Sequence, residues 1–287
     1  VEVLVVTAIV LVGMALAIPA IHAAQIFARR ARAENNLKQI GLALHNYLDS
    51  NGVFPMSAVA SEDAKQHGVG HSGFTALLPF LERASVYNHY NFSLEPWDAV
   101  NSTVTRVRVN EFLAPENKDI ESKPAEKISL HGKPLSGKNQ FGPLHFGMNW
   151  GGGHEGFGDD FVARKGKYKG LLMTVLDAEG RKAGARNVGI AQITDGTSFT
   201  LALVEKRDSV GWAIGGFAGS EFDAFTSPAY AADDPVAKQV FTGTVVATGP
   251  RGLLADGSVR VILPSMSKDI WYALLTRDGG EAINPFE

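Results

Sequence analysis

Hydrophobic positions fall into two regimes near the start of the chain. Residues 3–21 form a run of nineteen without an Asp, Glu, Lys or Arg, and only Thr7, Gly13 and Pro19 interrupt its apolar character. That is close to the ~20 residues a helix needs to cross a bilayer core. The run passes through His22, Ala23 and Ala24 to a basic group, Arg29, Arg30 and Arg32, suited to lipid phosphates at an interface. The pattern then changes instead of stopping. In NNLKQIGLALHNYLDSNGVFP, the residues Leu37, Ile40, Leu44 and Tyr47 or Leu48 recur at the spacing of one helix face. A cleaved signal peptide would show a basic start, an apolar run of only ~7 to 15 residues and a loss of helical character afterwards, and the chain fits none of these well. Asn51-Gly52 supplies a helix stop, and Pro55 opposes continuation. One helix over about residues 1–50 is predicted, roughly 75 Å long at ~1.5 Å per residue, with one half in lipid and the other against a folded body.

Beyond Pro55 the period shortens. GLLMTVLD, FTLALVEK, QVFTGTVVAT and GLLADGSVRVIL read as strands, separated by turn-formers at Asp195-Gly196, Asp256-Gly257 and Gly249-Pro250 that predict hairpins. Residues 72–90 have helical spacing broken by Pro79, which predicts two short helices or a helix-loop-helix, and a later helix is expected over 267–276. Residues 117–140, rich in Lys, Glu, Pro and Ser, and residues 146–160, with six glycines, read as exposed insertions. The fold class is therefore α+β: a long N-terminal helix at 1–51, membrane or filament-core half 1–25 and amphipathic half 26–51, followed by a β-rich head at 52–287, with one sheet wrapped on the distal half of the helix.

Composition narrows the function more than the fold. With 45% apolar and 20% charged residues the chain is ordinary for a globular body. A net charge of −3 offers no broad basic footprint for nucleic acid. The absence of cysteine removes disulfides, thiolate nucleophiles and Cys-ligated zinc.

Candidate chemistry is sparse. His67 and His71 are four apart, the spacing of two ligands on a helix, but HGVGHSG is glycine-rich and reads as loop. His154, Glu155, Asp159 and Asp160 lie together in GGGHEGFGDDF; Asp159 and Asp160 are weak candidates for Ca²⁺, and the EF-hand spacing is missing. Thr197 and Ser198 follow Asp195-Gly196 without a G-x-S-x-G elbow. No P-loop or dinucleotide fingerprint occurs, so no catalytic residue and no cofactor is assigned. Asn91-Phe92-Ser93 and Asn101-Ser102-Thr103 match the glycosylation pattern, for which chance is the better explanation. Glu2 is either a solvated terminal charge or a carboxylate that needs a positive partner at the edge of lipid. Pro19 kinks a membrane helix locally.

VEVLVVTAIVLVGMALAIPAIHAAQ followed by RRARAENNLKQIGLALHNYLDSNGVFP resembles the N-terminal region of type IV pilins and pseudopilins. The stretch NNLKQIGLALHNY over 35–47 is similar, more narrowly, to the planctomycete-type pilin-like family DUF1559. ITDGTSFTLALVEK (193–206) resembles that family's DGTS hairpin, and LLADGSVRVI (253–262) and ALLTRDGGEAI (273–283) its closing segments, while residues 70–189 match loosely. The family start carries a Gly at the processing site, where this chain has only Val1 before Glu2, so residues ahead of Val1 are expected. A family His lies ten residues before the Asp of ADGS; here that position is Val246, before Asp256, so no role shared by that pair carries over.

The resemblance implies that Glu2 pairs with a neighbouring subunit's N-terminal amine during assembly and that Pro19 marks where the helix bends or melts in the filament. It implies self-assembly as a helical homopolymer, a membrane phase before assembly, and a prepilin peptidase and pilus assembly machinery as partners. The subunit would be anchored in the inner membrane, then carried in an extracellular filament or at the cell surface. Lys and Arg lie on the C-terminal side of the span, which by the positive-inside tendency would face the cytoplasm; a pilin requires the reverse, and a basic leader would supply it. Two rivals keep the tether: a minor pseudopilin or surface receptor binding through 117–140 and 146–160, and an anchored hydrolase using His154 and Asp160.

Overall fold

The computed structural model describes residues 2–59, 70–115, 129–130, 133–134, 141–151, 170–172, 174–175, 188–206, 211–216, 219–222, 249–263 and 266–280. Helix α1 is continuous over Glu2–Asn51. It ends as its sequence requires: Gly52 takes a left-handed φ of 73°, and its N–H returns to the Leu48 carbonyl at 2.7 Å, the single-bond cap that favours glycine. Phe54 N–H then bonds the Val188 carbonyl at 2.7 Å and leads the chain into the head.

The distal part of α1 is built into the core. Ala33, Leu37, Ile40, Ala43, Leu44 and Leu48 are buried on one face, in a cluster with Phe74, Phe112, Trp212 and Leu253. Each fully buried Leu or Ile contributes about 1.5–3 kcal/mol, so this stripe is what fastens helix to head. Polar contacts fix its register, since Asn36 Nδ2 donates to the carbonyls of Asn110 (2.9 Å) and Leu113 (2.7 Å). At Gly41 a Cβ would press on the tip of Leu253, 3.0 Å from its Cδ1, and lie in ordinary contact with Gly257 Cα at 3.5 Å.

The head follows with β1 (Ala58–Val59), β2 (His71–Ser72), α2 (Gly73–Leu77), a 3-10 turn (Leu78–Leu81) and α3 (Ala84–His89). The two short helices expected over 72–90 are thus present. Ser72 caps α2 through its Oγ, which accepts from Phe74 N–H at 3.0 Å. Next come α4 (Ser102–Thr105), a 3-10 turn (Asn110–Phe112), β3 (Ser129–Leu130), β4 (Lys133–Pro134), β5 (Phe146–Met148), β6 (Thr174–Val175) and a 3-10 turn (Ile190–Gln192). The chain continues through β7 (Leu201–Glu205), β8 (Arg251–Leu254), β9 (Val259–Val261) and α5 (Lys268–Leu275). Helix α5 is the late helix the sequence predicts, with Ser267 Oγ accepting from Ile270 N–H at 3.3 Å.

Strands β5-β7-β8-β9 form an antiparallel sheet. It is the middle layer of three. Leu203 and Leu253 belong to the cluster around α1, whereas Leu201, Val204, Leu254 and Ile262 pack with Trp271, Leu274 and Leu275 of α5. That explains why β7, LALVE, is buried at every position, as strands covered on both faces are. The architecture is α+β with a long N-terminal helix.

Four expectations change. The head does not carry one sheet, for β2-β1-β6 makes a second and β3-β4 a small ribbon within residues 117–140. Residues 146–151 are not an exposed insertion: β5 lies inside the main sheet and residues through Gly151 are buried. Their polar atoms are satisfied internally, as Asn149 Nδ2 donates to the carbonyls of Leu201 (2.7 Å) and Leu275 (2.9 Å). His71, expected in a loop, is in β2, paired with Val59. Asp195-Gly196 makes a turn into β7 and not a hairpin, whereas Asp256-Gly257 does join β8 to β9, with Leu254 N–H bonding the Ser258 carbonyl at 2.8 Å. QVFTGTVVAT (239–248) lies outside the described residues.

Candidate functional site

The outstanding surface is the proximal part of α1. Where its side chains are described, residues 3–28 are exposed, including Val3, Leu4, Leu11, Ile18, Ile21 and Phe27. Leu11 is 57% exposed and Phe27 67%, against 0% for Leu37 further along the same helix. Exposed apolar surface of this extent is far beyond what a soluble monomer carries and marks an interaction or membrane surface. The helix is long and apolar enough to cross a membrane, and its most apolar window is not buried. By length and composition it fits a membrane anchor or a signal sequence. Arg29 and Arg30 are half-buried and Arg32 exposed at the point where the helix enters the head.

Glu2 is the first residue of α1, and its side chain lies outside the described residues. Pro19 sits within the unbroken helix, exposed. Lacking an N–H, it cannot donate the bond that the Ala15 carbonyl would otherwise take, so the helix is weakened there without being ended.

The other sequence candidates do not converge. His67, His154, Glu155, Asp159, Asp160 and Val246 lie outside the described residues. Among the described residues no group of three His, Cys, Asp or Glu is placed to hold a metal ion. His71 is buried, with Nδ1 hydrogen-bonded to the Tyr90 hydroxyl at 2.8 Å and its ring edge-on to that of Tyr90. Burial holds its imidazole below the ordinary histidine value, opposed in part by the Phe92 backbone. Asn101 is fully buried, its amide donating to the carbonyls of Asn91 and Glu95, so it cannot accept a glycan, whereas Asn91 is exposed.

The two Asp-Gly turns are stitched to other parts of the head. Ser198 Oγ donates to Asp256 Oδ2 at 2.8 Å, and Ser258 N–H to Asp256 Oδ1 at 2.8 Å. Burial opposes ionisation of Asp256, but the bonds from Ser258 and Ser198 outweigh it and hold its carboxyl below the usual aspartate value. Asp195 accepts from the N–H groups of Gly279 (2.7 Å) and Gly280 (2.8 Å). Thr197 contributes its carbonyl to Asp256 N–H at 3.1 Å. These are turn-locking roles.

Sequence reasoning missed a buried charged group at the end of β7. Glu205 accepts from Arg251 through both Nη1 (2.8 Å) and N–H (2.9 Å). Lys206 Nζ donates to the Glu221 carbonyl at 2.6 Å, and Ser57 Oγ donates to the Glu221 carboxylate. All five are buried. A Glu-Lys pair ending a strand pattern ordinarily reads as solvent-facing, and nothing local marks it otherwise.

The family described as "Protein of unknown function (DUF1559)" matches residues 23–249. No curated protein and no solved structure matches the chain.

Proposed function

From the premise that this chain belongs to the DUF1559 family, we propose that it is a structural, non-catalytic subunit of a type IV pilus-like extracellular filament, tethered in the membrane before assembly and polymerising through α1. The observation that carries this reading is the single helix Glu2–Asn51, exposed and apolar along its proximal half and locked into the head along its distal half. A signal sequence has no need to continue, unbroken, into the core stripe of the mature fold. A protruding helix of this kind has two physically sensible environments, lipid and a bundle of its own copies, and a filament subunit passes from one to the other. Glu2 would set the axial register by meeting a neighbour's amine, since a carboxylate in lipid without a positive partner is costly. Pro19 supplies the weak point at which the helix can bend within the bundle.

Electron microscopy of material sheared from cells expressing the chain tests this. Filaments from wild type that vanish or become sparse with Glu2→Ala are the expected result. If neither sample yields filaments and the protein stays with the membrane fraction, the homopolymer is refuted, and a tethered minor pseudopilin or surface binding protein takes its place.

A further inference from the structure

Helix α1 crosses from its exposed to its docked regime between Arg29 and Ala33. Residues 3–28 contain no Asp, Glu, Lys or Arg and would extend about 39 Å at ~1.5 Å per residue, more than the ~30 Å hydrocarbon core of a bilayer. Centred on the hydrocarbon, the run overhangs it by about 4–5 Å at each end, within the headgroup layers. Arg29 and Arg30 are already half-buried, and Ala33, about 6 Å further along the axis, is fully buried in the head. The headgroup layer of one leaflet is roughly 5–7 Å thick, from the difference between total and hydrocarbon thickness. Arg29, the first charge past the apolar run, thus falls in the headgroup layer at the edge of the head.

Arg29 and Arg32 are three apart and neighbours on one helix face. Among the described residues neither makes an ion pair. The acidic groups on the nearest elements are engaged elsewhere: Glu34 with Lys38 at 2.7 Å, and Glu111, in the turn packed on α1, with Arg83 at 2.8 Å. Arg30 already has a partner within the protein. Guanidinium groups suit phosphate because two parallel N–H donors meet two oxygens.

Resting on the membrane-tethered reading above, we propose that Arg29 and Arg32 form a clamp for lipid phosphates that selects anionic headgroups in the leaflet beside the head. The clamp seats the head on the membrane before assembly, and its contacts are given up when the helix leaves lipid.

The full chain, reconstituted into vesicles of phosphatidylcholine mixed with phosphatidylglycerol, tests this through the motionally restricted shell seen with spin-labelled versions of each lipid. Wild type should prefer phosphatidylglycerol at low salt by about five-fold for each arginine in contact with a lipid, the factor corresponding to about 1 kcal/mol per basic residue at an anionic surface, and the preference should fall as salt rises. R29Q/R32Q should bring it close to unity while the chain resists carbonate extraction as wild type does. A wild-type preference of unity in an inserted chain, or an unchanged preference in R29Q/R32Q, overturns the clamp alone. Extraction of wild type by carbonate overturns the tether, and the clamp with it.

Discussion

Leucine-to-alanine substitution at two positions of α1 separates its two environments. Leu37 has no exposed surface and packs in the cluster that contains Phe74, Phe112 and Trp212. Truncating it loses the transfer energy of the removed carbons and opens a cavity among residues that cannot close in, which together cost about 2–5 kcal/mol. In a domain the size of this head, a loss of about 3 kcal/mol lowers the melting temperature by about 6–12 °C. Leu11, 57% exposed, belongs to neither core cluster. Leu11→Ala should leave head stability within about 0.5 kcal/mol. Thermal unfolding of the full chain in mild detergent, followed by tryptophan fluorescence, reads the difference directly, because Trp212 is buried in the same cluster as Leu37. Equal shifts for the two variants, or a Leu37→Ala midpoint indistinguishable from wild type, would refute the division of the helix into a docked and a free half.

Two further predictions concern the head. Glu205→Gln strips the carboxylate charge from a buried ion pair with Arg251; a loss of about 3 kcal/mol in urea unfolding is expected, partly recovered by adding Arg251→Met, and no loss would mean the pair is not buried in solution. His71 gives a pH dependence: its folded pKa lies below the ordinary 6.5, so the unfolded chain binds a proton the native head does not. Stability should be full above about pH 6.5 and fall as pH drops through that value towards the lowered folded one, by at most about 1.4 kcal/mol per pH unit; the slope should shrink in His71→Gln, and an unchanged slope would assign the effect elsewhere.

The elements legible in the sequence are those whose partners are local or periodic. Leu37, Ile40, Leu44 and Leu48 announce the docked face of α1 because one side of a helix repeats every three or four residues. Gly52, Ser267 and Asp256-Gly257 mark ends and turns through backbone chemistry that needs no distant residue. The elements the sequence pattern hides depend on partners far along the chain. Residues 146–151 look like a polar, glycine-rich loop until Asn149 is seen bonding the backbone of Leu201 and Leu275. Asp195-Gly196 looks like a hairpin until its carboxylate is found holding Gly279 and Gly280. Glu205 reads as the wet end of a strand until Arg251 reaches it. For the candidate surface the extent of the apolar run was readable, and the depth at which the head begins was not, because that depends on Ala33 being covered by distant segments.

The close fit of Gly41 against Leu253 and Gly257 joins the start of the chain to a hairpin near its other end. Contacts of such high sequence separation give high contact order and slow folding. A ribosome would release α1 long before β8 and β9 exist to receive it, so although the segments carrying Phe74 and Phe112 can cover part of the docked stripe early, the part around Gly41 must wait uncovered through most of synthesis. That part of the helix cannot be covered by its own sequence neighbours. On the membrane-tethered reading proposed above, lipid around the proximal half holds it in place meanwhile, making the bilayer a folding scaffold as well as an anchor.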